Sequence, residues 1–216
     1  LGEVDQCQAS HFLEVFAGDH MLHSGVQLEG LQSRALDVNY TRKMDLATAF
    51  GFILAVNFVR HVRQQGCAWF ALPCSSWVFL SQGSTKRHFL RPQGWNCFKS
   101  TAEGNRLARR LAYLLELCHK LKIFYIIEQP ESSLLFRYKP FWRLLKKHGA
   151  HRVKCSLGAF NALTVKPVVF WGTAPFLKKL SRQVTSKQRS QLRRIRSFLK
   201  LDTARVYRNG AGETRC

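Results

Sequence analysis

Short apolar runs alternate along this chain with longer stretches in which apolar residues recur every three or four positions. FLEVF (12–16) predicts a buried strand, followed by AGDHMLHSG and a helix through about Gly30. SRALD (33–37) predicts a second strand. A helix over about 46–64 comes next, with Phe50, Leu54, Phe58 and Val62 at helical spacing, and CAWFA (67–71) is a third strand. A polar loop containing Gly and Pro runs from Pro73 to about Ser100. The helix predicted over about 101–121 places Leu107, Leu111, Leu114, Leu115 and Cys118 on one stripe. KIFYII (122–127) is the next strand, ending at Glu128-Gln129-Pro130, and residues 133–148 form a basic helix. RVKCS (152–156) and PVVFW (167–171) read as two further strands. Strands separated by helices of this length imply an α/β fold with a mostly parallel sheet covered on both faces.

From Thr185 or Ser186 onward, SKQRSQLRRIRSFLK carries Leu192, Ile195 and Leu199 on one helical stripe and Lys or Arg elsewhere. The pattern suits an amphipathic arm on nucleic acid as well as a packing helix with a solvated face. The tail NGAGETRC (209–216) is expected to be flexible. The chain therefore divides into an α/β domain over 1–175 and a basic helical extension over 176–216.

Composition narrows the class. Hydrophobic residues make up 46% of the chain, with 16 Phe and 5 Trp, enough for a sizeable core. No apolar run reaches the roughly 18 residues of a membrane span, and AFGFILAVNFV (49–59) is short and holds Asn57. No membrane partner is expected. The first residue is Leu1, without Met and without a basic-then-apolar leader, which suggests a fragment and no secretion signal. Seven cysteines with no CxxC signal neither a disulfide framework nor a zinc site, so a reducing compartment and no metal are expected. Cys67, Cys118 and Cys155 sit in apolar settings that suit small core residues.

Charge changes the picture more. The net charge is +21, yet residues 1–75 carry 5 basic and 7 acidic groups. The excess begins after Ser75, with 17 basic against 4 acidic residues over 76–175 and 12 against 2 over 176–216. A charge that starts at one point in the chain suggests a basic face for a polyanion, most simply nucleic acid.

Three predicted strand ends carry reactive-looking chemistry, and ligands gather at such ends in parallel sheets. Phe16-Ala17-Gly18 follows the first strand and opens a helix, where small residues and free amides suit a bound ligand or simply a tight turn. The sequence is not GxGxxG. Asp37 ends the second strand, 19 residues past Gly18, where a carboxylate can accept from a ribose or cap the next turn. Asp45 can contact the nucleoside too, or cap the 46–64 helix. In ALPCSSW, Pro73 has no amide hydrogen and stops the ladder, so Cys74 turns into the cleft. Ser75, Ser76 and the basic loop after them would stabilise a Cys74 thiolate, the form that acts as a nucleophile. In IIEQP, Glu128 ends another apolar strand, where burial raises a carboxyl pKa and lets it donate a hydrogen bond. A right-handed crossover brings Cys74 and Glu128 to the same sheet edge.

Phe16-Ala17-Gly18, Asp37, Pro73-Cys74-Ser75 and Glu128, in this order, resemble the cytosine-5 methyltransferases over about residues 12–172. Within them the chain is most similar to uncharacterised methylase-like proteins of dinoflagellates and other algae. The resemblance implies a Rossmann-like, S-adenosylmethionine-dependent methyltransferase sheet. It implies methyl transfer to C5 of cytosine, in DNA in preference to RNA, with Cys74 as nucleophile and Glu128 as acid. Phe16, Ala17, Gly18, Asp37, Asp45 and Pro73 would then hold S-adenosylmethionine. Ser75, Lys86, Arg87 and Arg91 would grip phosphates in a loop closing over the substrate, with Trp77 or Trp95 stacking on a base. A nuclear location follows from that substrate and the basic tail. The chain departs from the family at several points. His20 stands where a second motif glycine is expected, Leu72 replaces the first proline before Pro73-Cys74, and Gln129 replaces the Asn after the Glu. Arg152 and Lys166 are the basic residues nearest the family's paired-Arg position. Only seven residues separate Asp37 from Asp45, so the sheet is expected to have one strand fewer than usual. His20 and the shortened cofactor half support the alternative of a catalytically inactive nucleic-acid-binding module derived from a methyltransferase, such as one from a mobile element, whereas the retained Cys74 and Glu128 support catalysis. Methyl transfer to a small molecule or a protein leaves the basic charge unexplained.

Overall fold

The computed structural model describes residues 9–160 and 162–198, together with 207–208 and 214–215. In chain order the principal elements are β1 (Ser10–Val15), α1 (Met21–Leu28), β2 (Ser33–Leu36), α2 (Ala49–Arg60), β3 (Val62–Phe70) and α3 (Gln82–Thr85). They continue with α4 (Lys99–Lys120), β4 (Phe124–Pro130), α5 (Lys139–Lys147), β5 (His151–Ser156), β6 (Pro167–Gly172) and α6 (Ser186–Phe198).

The six strands form one sheet in the order β2-β1-β3-β4-β6-β5. β1 pairs in parallel with both β2 and β3, and β3 with β4. The sheet is mostly parallel, as expected, and PVVFW supplies the exception, because β6 runs antiparallel to both β4 and β5. A single short connection joins β5 to β6, and two adjacent strands so joined must reverse direction. The chain moves from β1 outward to β2 and then crosses through α2 to β3 on the other side of β1. That reversal creates a topological switch point, with a crevice outside the carboxyl ends of β1 and β3. The doubly wound order 3-2-1-4-5-6 would place one more strand beyond β2. β2 is instead the edge.

Alternation along the strands splits the apolar residues between two cores. Leu13, Val15, Phe70 and Ile127 face α2, α4 and α5, where Leu111 and Leu114 of α4 meet them. Trp69, Ile126, Val153 and Phe170 point to the other face and pack with Ala174 and Leu177. Cys67 and Cys155 are buried in this second core, where burial pushes the Cys67 thiol up to about 12, and Cys118 is buried in the first.

Several boundaries differ from the sequence pattern for local reasons. The helix expected over 46–64 is the shorter α2, because Thr48 caps it by accepting from the Gly51 amide. Asp45 does not cap this helix; its Oδ1 accepts from the Ala47 amide one turn earlier. β3 begins at Val62, which pairs with Ser10, and an irregularity follows in which Gln65 takes a φ of 59°. The basic helix over 133–148 is broken into a 3-10 turn, Leu134–Arg137, and α5, with Pro140 in the first turn of α5. α6 lies against the 157–160 turn, where the Leu192 side chain fills the space a Gly158 Cβ would need. Of the 209–216 tail only Thr214 and Arg215 are described, and they pair antiparallel with Tyr207 and Arg208; the rest lies outside the described residues. No described helix is long and apolar enough to cross a membrane.

Candidate active site

The first strand end is a tight turn pinned to its neighbour. Phe16 and Ala17 donate their amides to the Leu36 carbonyl, and Gly18 donates to Asp37 Oδ2 at 2.9 Å. The other carboxylate oxygen of Asp37 accepts from the Asn39 amide at 2.8 Å. Asp37 therefore organises the turn, with one further lone pair on each oxygen. Phe16, Gly18 and His20 all adopt left-handed φ, at 60°, 52° and 46°. His20 thus keeps a glycine-like backbone although a side chain there costs about 1–2 kcal/mol. Its ring nitrogen lies 3.0 Å from Ser24 Oγ and its edge meets Tyr40 at 5.7 Å, contacts that offset the strain. Nothing lies within 4 Å of where a Gly18 Cβ would stand, so the turn opens onto free space.

The second and third strand ends are neighbours in register. Phe70 pairs with Ile127 across parallel strands, so the chain leaves β3 after Phe70 beside Glu128, which still lies within β4 and pairs with Phe170 of β6. Gln129, fully buried, ties the two motifs together by donating from Nε2 to the Leu72 carbonyl at 2.5 Å. Its Oε1 accepts from Ser133 Oγ at 2.9 Å. Pro73 is exposed and Cys74 half-buried. The Cys74 carbonyl accepts from the Trp77 and Val78 amides, which turns the chain sharply away from the sheet.

Glu128 lies on the same face as Trp69, whose side chain hydrogen-bonds to it. Burial raises the Glu128 carboxyl above the ordinary 4.5, while nearby Lys166 and the Trp69 bond pull it partly back. A surface cavity of about 350 Å³ borders this strand end, lined by Pro130, Glu131, Ser132, Lys166 and Pro167. Arg152 faces Glu131 at 3.9 Å instead.

The sequence reading missed Glu14. It is buried on β1 directly across from Trp69, and its Oε2 accepts from the His23 amide at 2.7 Å at the start of α1. Burial raises its carboxyl pKa, and Glu128 on the same face pushes it in the same direction. A charged residue inside the apolar run FLEVF was the available signal.

The 75–100 segment corrects two expectations. Arg87 is 1% exposed and Trp77 fully buried, so Arg87 does not reach a phosphate and Trp77 does not stack on a base. The Arg87 guanidinium lies 3.6 Å over the Trp77 ring instead. It donates to the Pro92 carbonyl at 2.7 Å, Asn105 Oδ1 at 2.9 Å and the Thr101 carbonyl at 3.3 Å. Burial lowers its pKa to about 10, which leaves it charged near neutral pH. Gly104 of α4 permits this packing, since a Cβ there would lie 2.2 Å from Ser76 Oγ. The segment is thus folded onto α4 as a scaffold. Ser75, Lys86, Arg91 and Trp95 remain exposed on it, with Trp95 stacked on Phe98 at 6.4 Å.

No family model matches the sequence. No curated protein matches it either. Among solved structures, the S. pombe Dnmt2 methyltransferase is similar over 90% of this chain, at 14% identity and a TM-score of 0.43. This chain spans 60% of the length of that protein.

Proposed function

We propose that this protein transfers a methyl group from S-adenosylmethionine to C5 of cytosine in nucleic acid, DNA in preference to RNA, through a covalent Cys74 adduct. The observation that carries this reading is that three adjacent parallel strands, β1, β3 and β4, run towards one edge, where Phe16-Ala17-Gly18 follows β1, Pro73-Cys74 follows β3 and Glu128 lies two residues before the end of β4. The open space above Gly18 and the spare acceptor capacity of Asp37 fit a cofactor bearing a ribose. Phe16 and Ala17 would flank it, with Pro73 and Asp45 at its margins. When bound, S-adenosylmethionine supplies an electrophilic methyl group.

The protein's residues do the rest. Cys74, as thiolate, forms a bond from Sγ to C6, and the displaced π electrons run through C5 and C4 to N3. Glu128, whose carboxyl pKa is raised by burial, delivers its proton to N3. The resulting enamine makes C5 nucleophilic towards the methyl group, and Glu128 recovers its proton as N3 returns to the imine form. Loss of the C5 proton to a base restores the C5–C6 double bond and expels Cys74 as thiolate. A base reached in this way must leave the stack, and the basic residues after Ser75 would hold the strand's phosphates.

The test is incubation with labelled S-adenosylmethionine and DNA containing 5-fluorocytosine. Because fluorine cannot leave C5 as a proton does, an adduct should accumulate, and Cys74→Ala should abolish it. If no nucleic acid yields an adduct and calorimetry detects no cofactor binding, the catalytic reading is overturned. Binding of nucleic acid without either signal would support an inactive module, a reading that the His20 ring beside the cofactor turn favours.

A further inference from the structure

The two edges of the sheet are finished in opposite ways. β5 is guarded. His151, Arg152 and Lys154 are exposed along it. The Ser156 amide donates to the Arg182 carbonyl at 2.8 Å, and Ser181 Oγ donates to the Lys154 carbonyl at 3.5 Å. Charge and a covering segment are the usual defences of an edge strand. Among the described residues, no strand pairs with the outer side of β2 at the far edge. Its four residues, Ser33–Leu36, include no Lys and no Pro. The one cation, Arg34, is drawn back over the Phe58 ring of α2, 5.5 Å from its centre.

The backbone of β2 is arranged to pair again. The Gln32 carbonyl accepts from the His11 amide and the Leu36 carbonyl from the Phe16 amide, both at 2.8 Å, so these residues face β1. Alternation along a parallel ladder then directs the amides and carbonyls of Ser33 and Ala35 away from β1. Exposed apolar side chains frame that outward side. Leu28, 88% exposed, closes α1; exposed Leu31 precedes β2 and exposed Val38 follows it. α1 packs beside β1 and β2, yet none of its residues is buried. Outward backbone groups in an apolar frame invite another strand.

We infer that β2 pairs antiparallel with the β2 of a second copy of this chain, joining two six-stranded sheets across a two-fold axis. Charge decides the occupant. Residues 1–75, which supply α1, β2 and α2, carry 5 basic and 7 acidic groups in a chain of net charge +21. Two copies meeting through the basic remainder would repel each other, whereas the β2 edge lets like meet like. An acidic partner would find its complement on the other side of the molecule. Pairing over four residues is small for a stable interface, and Leu28, Leu31 and Val38 of both copies extend it. β2 and β5 close opposite ends of the strand order, so the junction leaves the basic part of each copy open. The inference holds whether or not Cys74 is catalytic.

The experiment measures the mass of the nuclease-treated full chain by sedimentation velocity, from about 1 to about 100 μM and in about 0.15 and about 0.5 M salt. A dimer should form as concentration rises. Higher salt should strengthen it, because screening relieves the repulsion of two basic chains and spares backbone pairing and apolar contact. Ala35→Pro removes an amide that points out of the sheet and none that bonds to β1, and should weaken the dimer about tenfold or more. Leu28→Glu with Val38→Glu, at exposed positions, should weaken it as much without disturbing circular dichroism, which covers the case of a proline variant that fails to fold. Leu80→Ser, at a residue 92% exposed in the basic part, should leave the dimer unchanged. Amide exchange at Ser33 and Ala35 should slow as concentration rises. A monomer at every concentration overturns the inference, and so does a dimer that survives both sets of substitutions. A dimer lost on nuclease treatment, or weakened by salt, overturns it in favour of bridging by a polyanion. Slow exchange at Ser33 and Ala35 in a monomer overturns it in favour of a segment of the same chain.

Discussion

A carboxylic acid that must donate a proton near neutral pH needs an environment that disfavours its charge, and Glu128 has one. Burial is the largest influence on it, opposed by Lys166 and by the bond from Trp69. Glu14 across the strand pair is shifted in the same direction. Because the folded pKa of Glu128 is raised, the native state holds more protons than the unfolded chain at pH values above the ordinary carboxyl value. Stability from this group is therefore present at low pH and lost as pH rises through the folded pKa. Glu128→Gln should raise the urea midpoint near neutral pH and flatten its decline with rising pH. The same substitution should lower kcat by about 10²-fold or more, and remove the fall in rate on the alkaline side that Glu128 ionisation causes. A pH–rate profile alongside urea titrations checks both. Glu128 was legible at this scale because its position at the end of an apolar strand is a sequence fact. Trp69 as its hydrogen-bond partner was not, since strand alternation gives a face but not which indole on that face reaches the carboxyl.

The 75–100 segment teaches the same lesson for a whole element. Its Lys, Arg and Trp residues suggested a basic lid with aromatic stacking groups, and composition cannot tell an Arg that greets solvent from one that serves as a core. Arg87 turned inward because Trp77, Asn105 and two carbonyls offer a planar cation a stack and hydrogen bonds. Arg87→Lys removes the stack and cannot reproduce the fork of donors. It should cost about 2 kcal/mol of stability by urea unfolding. Gln129 is the parallel case at the end of β4. It departs from the expected Asn, and its longer side chain reaches the Leu72 carbonyl and holds the turn before Cys74.

At the scale of the molecule, the charge is one-sided along the chain, nearly neutral through residue 75 and strongly basic beyond it. Binding driven by that excess releases counterions, so affinity for duplex DNA should fall at least about tenfold between roughly 50 and 200 mM salt if two or more phosphates are held. Equilibrium titrations at several salt concentrations give the slope, and a flat slope would remove the charge argument. The nearly neutral residues 1–75 supply β1, β2 and β3 with the Phe16-Ala17-Gly18 turn, whereas the basic part supplies the 75–100 segment, α4 and the later strands. The parallel pairing of β3 with β4 joins them.

Apolar periodicity by itself determined the order of strands and helices, because burial of one face demands that spacing wherever the chain goes. It also placed Cys74 just beyond a strand, since Pro73 follows an apolar run, whereas Glu128, expected just past a strand over 122–127, lies within β4 because the strand continues to Pro130 in its pairing with β6. Strand direction was beyond it: β6 reads like any buried strand, and only its short link from β5 and its place between β4 and β5 make it antiparallel. The left-handed backbone at His20, the inward turn of Arg87 and Trp77, and the bond from Gln129 to Leu72 were likewise decided in three dimensions. Each depends on a partner distant in sequence or on a backbone angle that residue identity alone disfavours.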